Sequence, residues 1–296
     1  MSASRAYRLS VEESLPEGLA GAARGRLNNA IEELRSKTDS SPEAAVHEAR
    51  KDLKKLRALL RLARGELGET SFARENTVFR DAGRELAAAR DSDVMLETLK
   101  ALDIPAGLSW DLRKALQAQR ARDGAGGPRA AAKGVVAMLR EARARVDDWP
   151  LEHDSFDALS DGLERTYRRG RRDFKAVQAK PSVEALHEWR KRVKDLWYHH
   201  TLLRPLWPPV MKAVGDEAHE LANRLGDDHD LTVLAEWVRE HTRADSEFFE
   251  AVDRRRAELQ ADAFTLGARL YADKPSVYVR RLRQLWQAAH ASVRAP

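Results

Sequence analysis

Two stretches of this sequence carry the same order of cationic and imidazole donors. One is VHEARKDLKKLRALLRL from Val46, and the other is LHEWRKRVKDLWYHHTLL from Leu186. His47, Arg50, Lys51 and Lys54 recur as His187, Arg190, Lys191 and Lys194, each 140 residues on (187 minus 47). Arginine offers a planar fork to phosphate oxygens, and lysine offers a compact charge. Such donors at three- and four-residue spacing suit an extended anion rather than a single small one.

The spacing predicts helices. Wrapped at about 100° per residue, His47, Arg50, Lys51, Lys54, Arg57 and Arg61 share one arc about 120° wide. Val46, Ala49, Leu53, Leu56 and Leu60 form an apolar stripe beside it, and Glu48 and Asp52 fall away from the row. The second copy sets His187, Arg190, Lys191 and Lys194 beside Leu186, Trp189, Val193 and Leu196, with Glu188 and Asp195 off the basic face. Solvated helix faces normally mix signs. Here one sign is segregated, twice, at matching positions. Closely spaced like charges repel, so such rows imply an anionic ligand. The row from His47 to Arg57 spans about 15 Å of helix axis.

Other segments supply secondary candidates. Arg165, Arg168, Arg172 and Lys175 follow i, i+3, i+7, i+10 spacing and are expected to line one face. LAAARDSDVM from Leu86 pairs with LGDDHDLTVL from Leu225, aligning Arg90 near His229, and a weaker pairing aligns Arg24 with Arg168. The run Asp227-Asp228-His229-Asp230 offers ligands for a divalent ion, but its counterpart keeps only the last carboxylate. Asp91 and Asp230 are therefore expected to cap helices rather than hold metal. His199 and His200 are expected to be structural. No Gly-rich phosphate loop, HExxH or G-x-S-x-G occurs. No nucleophile, metal or cofactor is called for, and a non-catalytic protein is expected.

The elements behind these rows are all helical. The chain has 296 residues, 43% hydrophobic and 33% charged, with apolar residues at helical period and no alternating strands. Prolines divide it into ten to twelve helices, with Asp123 to Pro128 as a linker. Three repeated blocks in one order indicate two helical halves, residues 1–150 and 151–296. The net charge of +5 is modest for this length, so distribution rather than total charge carries the argument. Cysteine is absent, which removes disulfides and thiolate chemistry. There is no apolar run of membrane length and no signal-peptide core, so a cytoplasmic location is expected.

With both His-x-x-Arg-Lys-x-x-Lys rows, Ala89-Arg90-Asp91, the Leu225 to Asp230 run and the tail from Arg269 to Pro275, the chain resembles the CHAD family of histidine-containing α-helical domains. The resemblance implies two antiparallel bundles related by a pseudo-twofold axis around a basic cavity. It implies binding of inorganic polyphosphate and association with polyphosphate granules. The triphosphatase barrel that often accompanies such domains has no strands here to build it. The first-rank ligands are then His47, Arg50, Lys51, Lys54, Arg57, His187, Arg190, Lys191 and Lys194. Arg24, Arg90, Arg168, Arg172, Lys175 and His229 are second-rank. Trp197 stands where the first half has Arg57, which weakens the second row.

Two other readings compete. A nucleic-acid backbone fits the same rows, but with 6% aromatic residues no stacking platform stands out. A magnesium-dependent phosphoanhydride hydrolase would use Asp227, Asp228 and Asp230. If the histidines meet phosphates, their pKa values rise on binding. Affinity should then strengthen as pH falls from 8 to 6, and a flat profile would contradict titration at the site.

Overall fold

The computed structural model describes residues 7–86, 91–123, 127–243 and 246–294. Helix α1 (Leu15–Ser36) opens with a reciprocal cap. The Ser14 hydroxyl accepts from the Glu17 N–H, and the Glu17 carboxylate accepts from the Ser14 N–H. Helix α2 (Pro42–Leu62) begins on proline, whose missing N–H costs nothing in a first turn. Ser41 precedes it, but its hydroxyl makes no cap bond. Helix α3 (Arg64–Glu85) bends at Gly68, whose φ of 67° only glycine adopts without strain. Then come α4 (Asp91–Lys100), α5 (Ala106–Asp123), α6 (Gly127–Arg145) and a 3-10 turn, Val146–Asp148.

The second half runs α7 (Asp157–Ala179), α8 (Val183–Leu202), a 3-10 turn at Arg204–Leu206, α9 (Pro208–His241), α10 (Ser246–Leu270) and α11 (Pro275–Arg294). Eleven α-helices and no strand occur among the described residues, as the periodicity predicts. The order of elements follows that of the first half, with one difference. The single α9, 34 residues long, stands where the first half has α3 and α4.

Two apolar clusters hold the helices together, and each draws on both halves. The larger joins Leu19, Leu27, Leu53 and Leu56 to Trp189, Val193, Leu196 and Trp286. The smaller joins Met95, Leu99 and Leu116 to Leu234, Phe248 and Leu259. The stretch around Trp149 and Pro150 therefore separates halves of the sequence without separating cores.

Helix α2 lies at the junction, packed on α1, α3, α7 and α8. Its C-terminal half is tied to α8 by polar bonds. The Ala58 carbonyl accepts from His199 Nε2 at 3.0 Å, and Arg61 meets Asp195 at 2.9 Å. His200, also buried, meets the Tyr278 hydroxyl, and burial pushes its pKa down to about 3. Both histidines are structural, as expected.

Helix α7 approaches α2 so closely at Gly162 that a Cβ there would stand 1.9 Å from the Leu62 carbonyl oxygen. That neighbour is backbone and cannot swing aside. Gly162→Ala should cost about 3 kcal/mol through forced separation of α2 and α7. Urea unfolding measures it, and an unchanged midpoint would contradict this packing.

Candidate anion-binding site

Ser182 caps α8 by accepting from the Ala185 N–H, which fixes where the second basic row begins. The stripe Leu186, Trp189, Val193 and Leu196 is buried, and the basic row lies along its flank toward α9. The rings of His187 and His229 are 4.8 Å apart. Arg190 lies against α9 at Gly226, with Asp227 and Asp230 favouring its charge. Lys194 is largely desolvated and sits among Arg190, Lys54 and Arg50, with Asp230 as counter-charge. Burial first, and those cations second, push its pKa down to about 7.

These groups lack the partners that buried cations usually have. Among the described residues, Arg190 and Lys194 form neither a hydrogen bond nor an ion pair. Arg190 Nε and the Nδ1 atoms of His187 and His229 are buried without hydrogen-bond partners. Burial, followed by Lys191 and His229, holds His187 down to about 4, so the imidazole is neutral at neutral pH. His229 is lowered for the same reason, with Arg190 the next cause.

Helix α2 brings the first row to the same place. Arg50 and Lys54 lie close enough to depress Lys194, and Lys51 acts on His219 of α9. Arg57 donates its Nε to Asn76 of α3 at 3.1 Å, and burial, then Arg61, pushes its pKa down to about 10. Arg61 leaves the row for Asp195. Glu48 does not fall away as expected. It accepts from Lys51 at 2.9 Å and stands 3.9 Å from His47 Nε2, because i+3 reach returns it to the row. Glu188 likewise takes Lys191. Trp197, at the position of Arg57, stacks on His219 at 3.8 Å.

The acids within the rows serve the core side. Buried Asp52 accepts from Asn29 at 2.6 Å, Arg26 at 3.1 Å and Lys55 at 3.2 Å. Buried Asp195 holds Arg61 and, at 3.2 Å, Arg192. The two halves invert one ion pair: Asp52 and Lys55 correspond to Arg192 and Asp195. These pairs neutralise cations that face inward.

The secondary candidates scatter. His229 joins the cluster. Arg24 is bound to Asp147 at 2.5 Å, across from α1. Arg168 pairs with Glu164, Arg172 with Asp173, and Lys175 is exposed on α7. Arg165 turns to the Arg61 carbonyl at 3.2 Å, so the single face expected on α7 is not formed. Arg90 lies outside the described residues. The cap expected at Asp230 is also absent, because α9 runs through it unbroken. Asp228 turns to α10, where Arg256 and Gln260 donate at 3.0 and 2.8 Å. It thus points away from Asp227 and Asp230, which flank Arg190. No grouping of three metal-type ligands occurs among the described residues. Nor, among them, is any helix long and apolar enough to cross a membrane.

Sequence reasoning missed His219 and Gly226. The repeat aligns His219 with Phe79, so no imidazole marked the position. A cleft of about 410 Å³ between α1 and α6, lined by Arg35, Lys133 and Arg140, shares no residue with the cluster.

Comparison with known proteins gives a consistent picture. The family model described as the CHAD domain matches residues 19–239. The crystal structure of the CHAD domain from the plant Ricinus communis is similar in fold, with a TM-score of 0.68 at 20% identity, covering 91% of this chain and 96% of that one. No curated protein matches the chain.

The neutral state of His187 is directly measurable. In the free protein its imidazole should remain uncharged at pH 6 by NMR titration, and Lys191→Ala should raise its pKa. A midpoint above 6 in the unmodified protein would contradict the burial described here.

Proposed function

The chain belongs to the CHAD domain family, and on that footing we propose that it binds inorganic polyphosphate, or a ligand of similarly dense phosphates, between the basic rows of α2 and α8. The observation that carries this reading is Lys194, largely desolvated and crowded by Arg190 of its own helix and by Lys54 and Arg50 of α2, with its pKa pushed down to about 7 by burial first and those cations second. Crowding cations where they are partly desolvated is costly, and an anion placed among them offsets that cost. His187 and His229 offer buried nitrogens that can take up a proton from solvent once an anion stands beside them, and can then donate to it. The two sequence halves act as duplicated arms of one grip.

The function proposed is capture without chemistry. Asp228 faces α10, so the acidic run does not converge as a magnesium site would require. Asp227 and Asp230 accompany Arg190 instead. Trp197 has Tyr198 and His219 stacked against it, which leaves it poorly placed to receive nucleobases. Binding of this kind suits attachment to polyphosphate granules.

Calorimetric titration with long-chain polyphosphate at two salt concentrations tests the reading. Affinity should fall steeply with salt, by analogy with nucleic-acid phosphates, and the Arg50→Ala/Arg190→Ala variant should lose at least about 100-fold. Binding that the variant keeps, or RNA that displaces polyphosphate, would contradict it.

The pH dependence has a defined sign. Lys194 is half-protonated near pH 7 in the free protein, and bound phosphate raises that value. Binding therefore takes up a proton above pH 7. Affinity is full below 7 and declines above it by up to about tenfold per pH unit. Lys194→Arg stays charged and should flatten the profile. An equally steep decline in that variant would remove Lys194 from the account.

A further inference from the structure

We propose that Gly226 is the positioning residue for Arg190: by leaving the surface of α9 bare, it lets the guanidinium lie against that helix beside Asp227 and Asp230 and act on Lys194 and His229. The proposal deepens the polyphosphate reading and rests on it for its affinity arm alone.

Glycine in a helix interior costs about 1 kcal/mol relative to alanine. Helix α9 nevertheless carries Gly215 and Gly226, both buried. The two differ in what a methyl group would meet. At Gly215 the nearest atom is the His200 Cβ at 3.5 Å, an ordinary contact. At Gly226 a Cβ would stand 2.8 Å from Arg190 Nη2, 3.3 Å from Cζ and 3.5 Å from Nε. All three of these nearest atoms belong to the one guanidinium. It is also the far end of a flexible side chain, so an added methyl displaces the guanidinium and spares the backbone.

Displacement would change the electrostatics of the cluster. Asp227 and Asp230 stand one and four residues along the helix and favour the charge of Arg190 where it now lies. Lys194 and His229 both feel that charge. The corresponding residue of the first half is Ala87, which lies outside the described residues.

The test uses Gly226→Ala, with Gly215→Ala as a control on the same helix. Three results are expected for Gly226→Ala. Its unfolding midpoint matches or exceeds that of the unmodified protein, as the gain in helix propensity requires. The His229 imidazole titrates at higher pH by NMR in the absence of any ligand, which a purely structural role would not produce. Affinity for long-chain polyphosphate falls by about tenfold or more, and adding Arg190→Ala causes little further loss. Gly215→Ala leaves both the titration and the affinity unchanged. Should Gly226→Ala alone destabilise the fold, the same substitution in an Arg190→Ala background should not, since the clash is then gone. An unmoved His229 titration, or affinity losses that simply add, would overturn the proposal. Failure of the unmodified protein to bind polyphosphate would overturn the functional reading instead, while the His229 shift still decides the role of Gly226.

Discussion

The constraint on which this structure turns is the repulsion among the cations of α2 and α8. Burial first, and then the charges of Arg190, Lys54 and Arg50, hold Lys194 down to about 7. Water would screen such charges on an open surface, but partial burial of Lys194 removes much of that screening around it. Apolar packing on both helices supplies the opposing free energy. Leu53 and Leu56 on one, with Trp189, Val193 and Leu196 on the other, belong to a single core. The rows are held together by their backs, and the anion proposed above would relieve the repulsion at Lys194.

The buried acids explain how the helices tolerate this arrangement. Asp52 and Asp195 do not weaken the rows, although each interrupts one in sequence. They are turned inward, where they satisfy Arg26, Lys55, Arg61 and Arg192. Removing either acid would leave cations buried without compensation, a change that typically costs about 3–5 kcal/mol. Inverting the Asp52–Lys55 pair as Arg192–Asp195 keeps each helix anchored while using different neighbours. The anchoring charges and the charges proposed to bind are thus separate sets on the same two helices.

Much of this was legible in the sequence because helical spacing fixes which side chains share a face. The rows at Arg50 and Arg190 follow from that rule, as does the all-helical class. What remained hidden depends on partners far away along the chain. Asp230 looks like a helix cap because aspartate has low interior propensity, yet α9 runs through it unbroken, and its neighbour Asp228 is held inside the helix by Arg256 and Gln260 of α10. Arg165 fits the spacing of a basic face, but the end of α2 captures it. His187 was expected to titrate near neutrality. Its burial against His229 keeps it neutral and passes that role to Lys194. Gly226 had no signal at all, since its significance lies in a contact with Arg190.

The most direct test is a crystal structure of the protein with a short polyphosphate bound. Phosphate oxygens should stand within hydrogen-bonding distance of Arg190 and Lys194 on α8 and of Arg50 or Lys54 on α2 at the same time. Phosphates lying instead along Arg168, Arg172 and Lys175 of α7, with the cluster between α2 and α8 unengaged, would contradict the account.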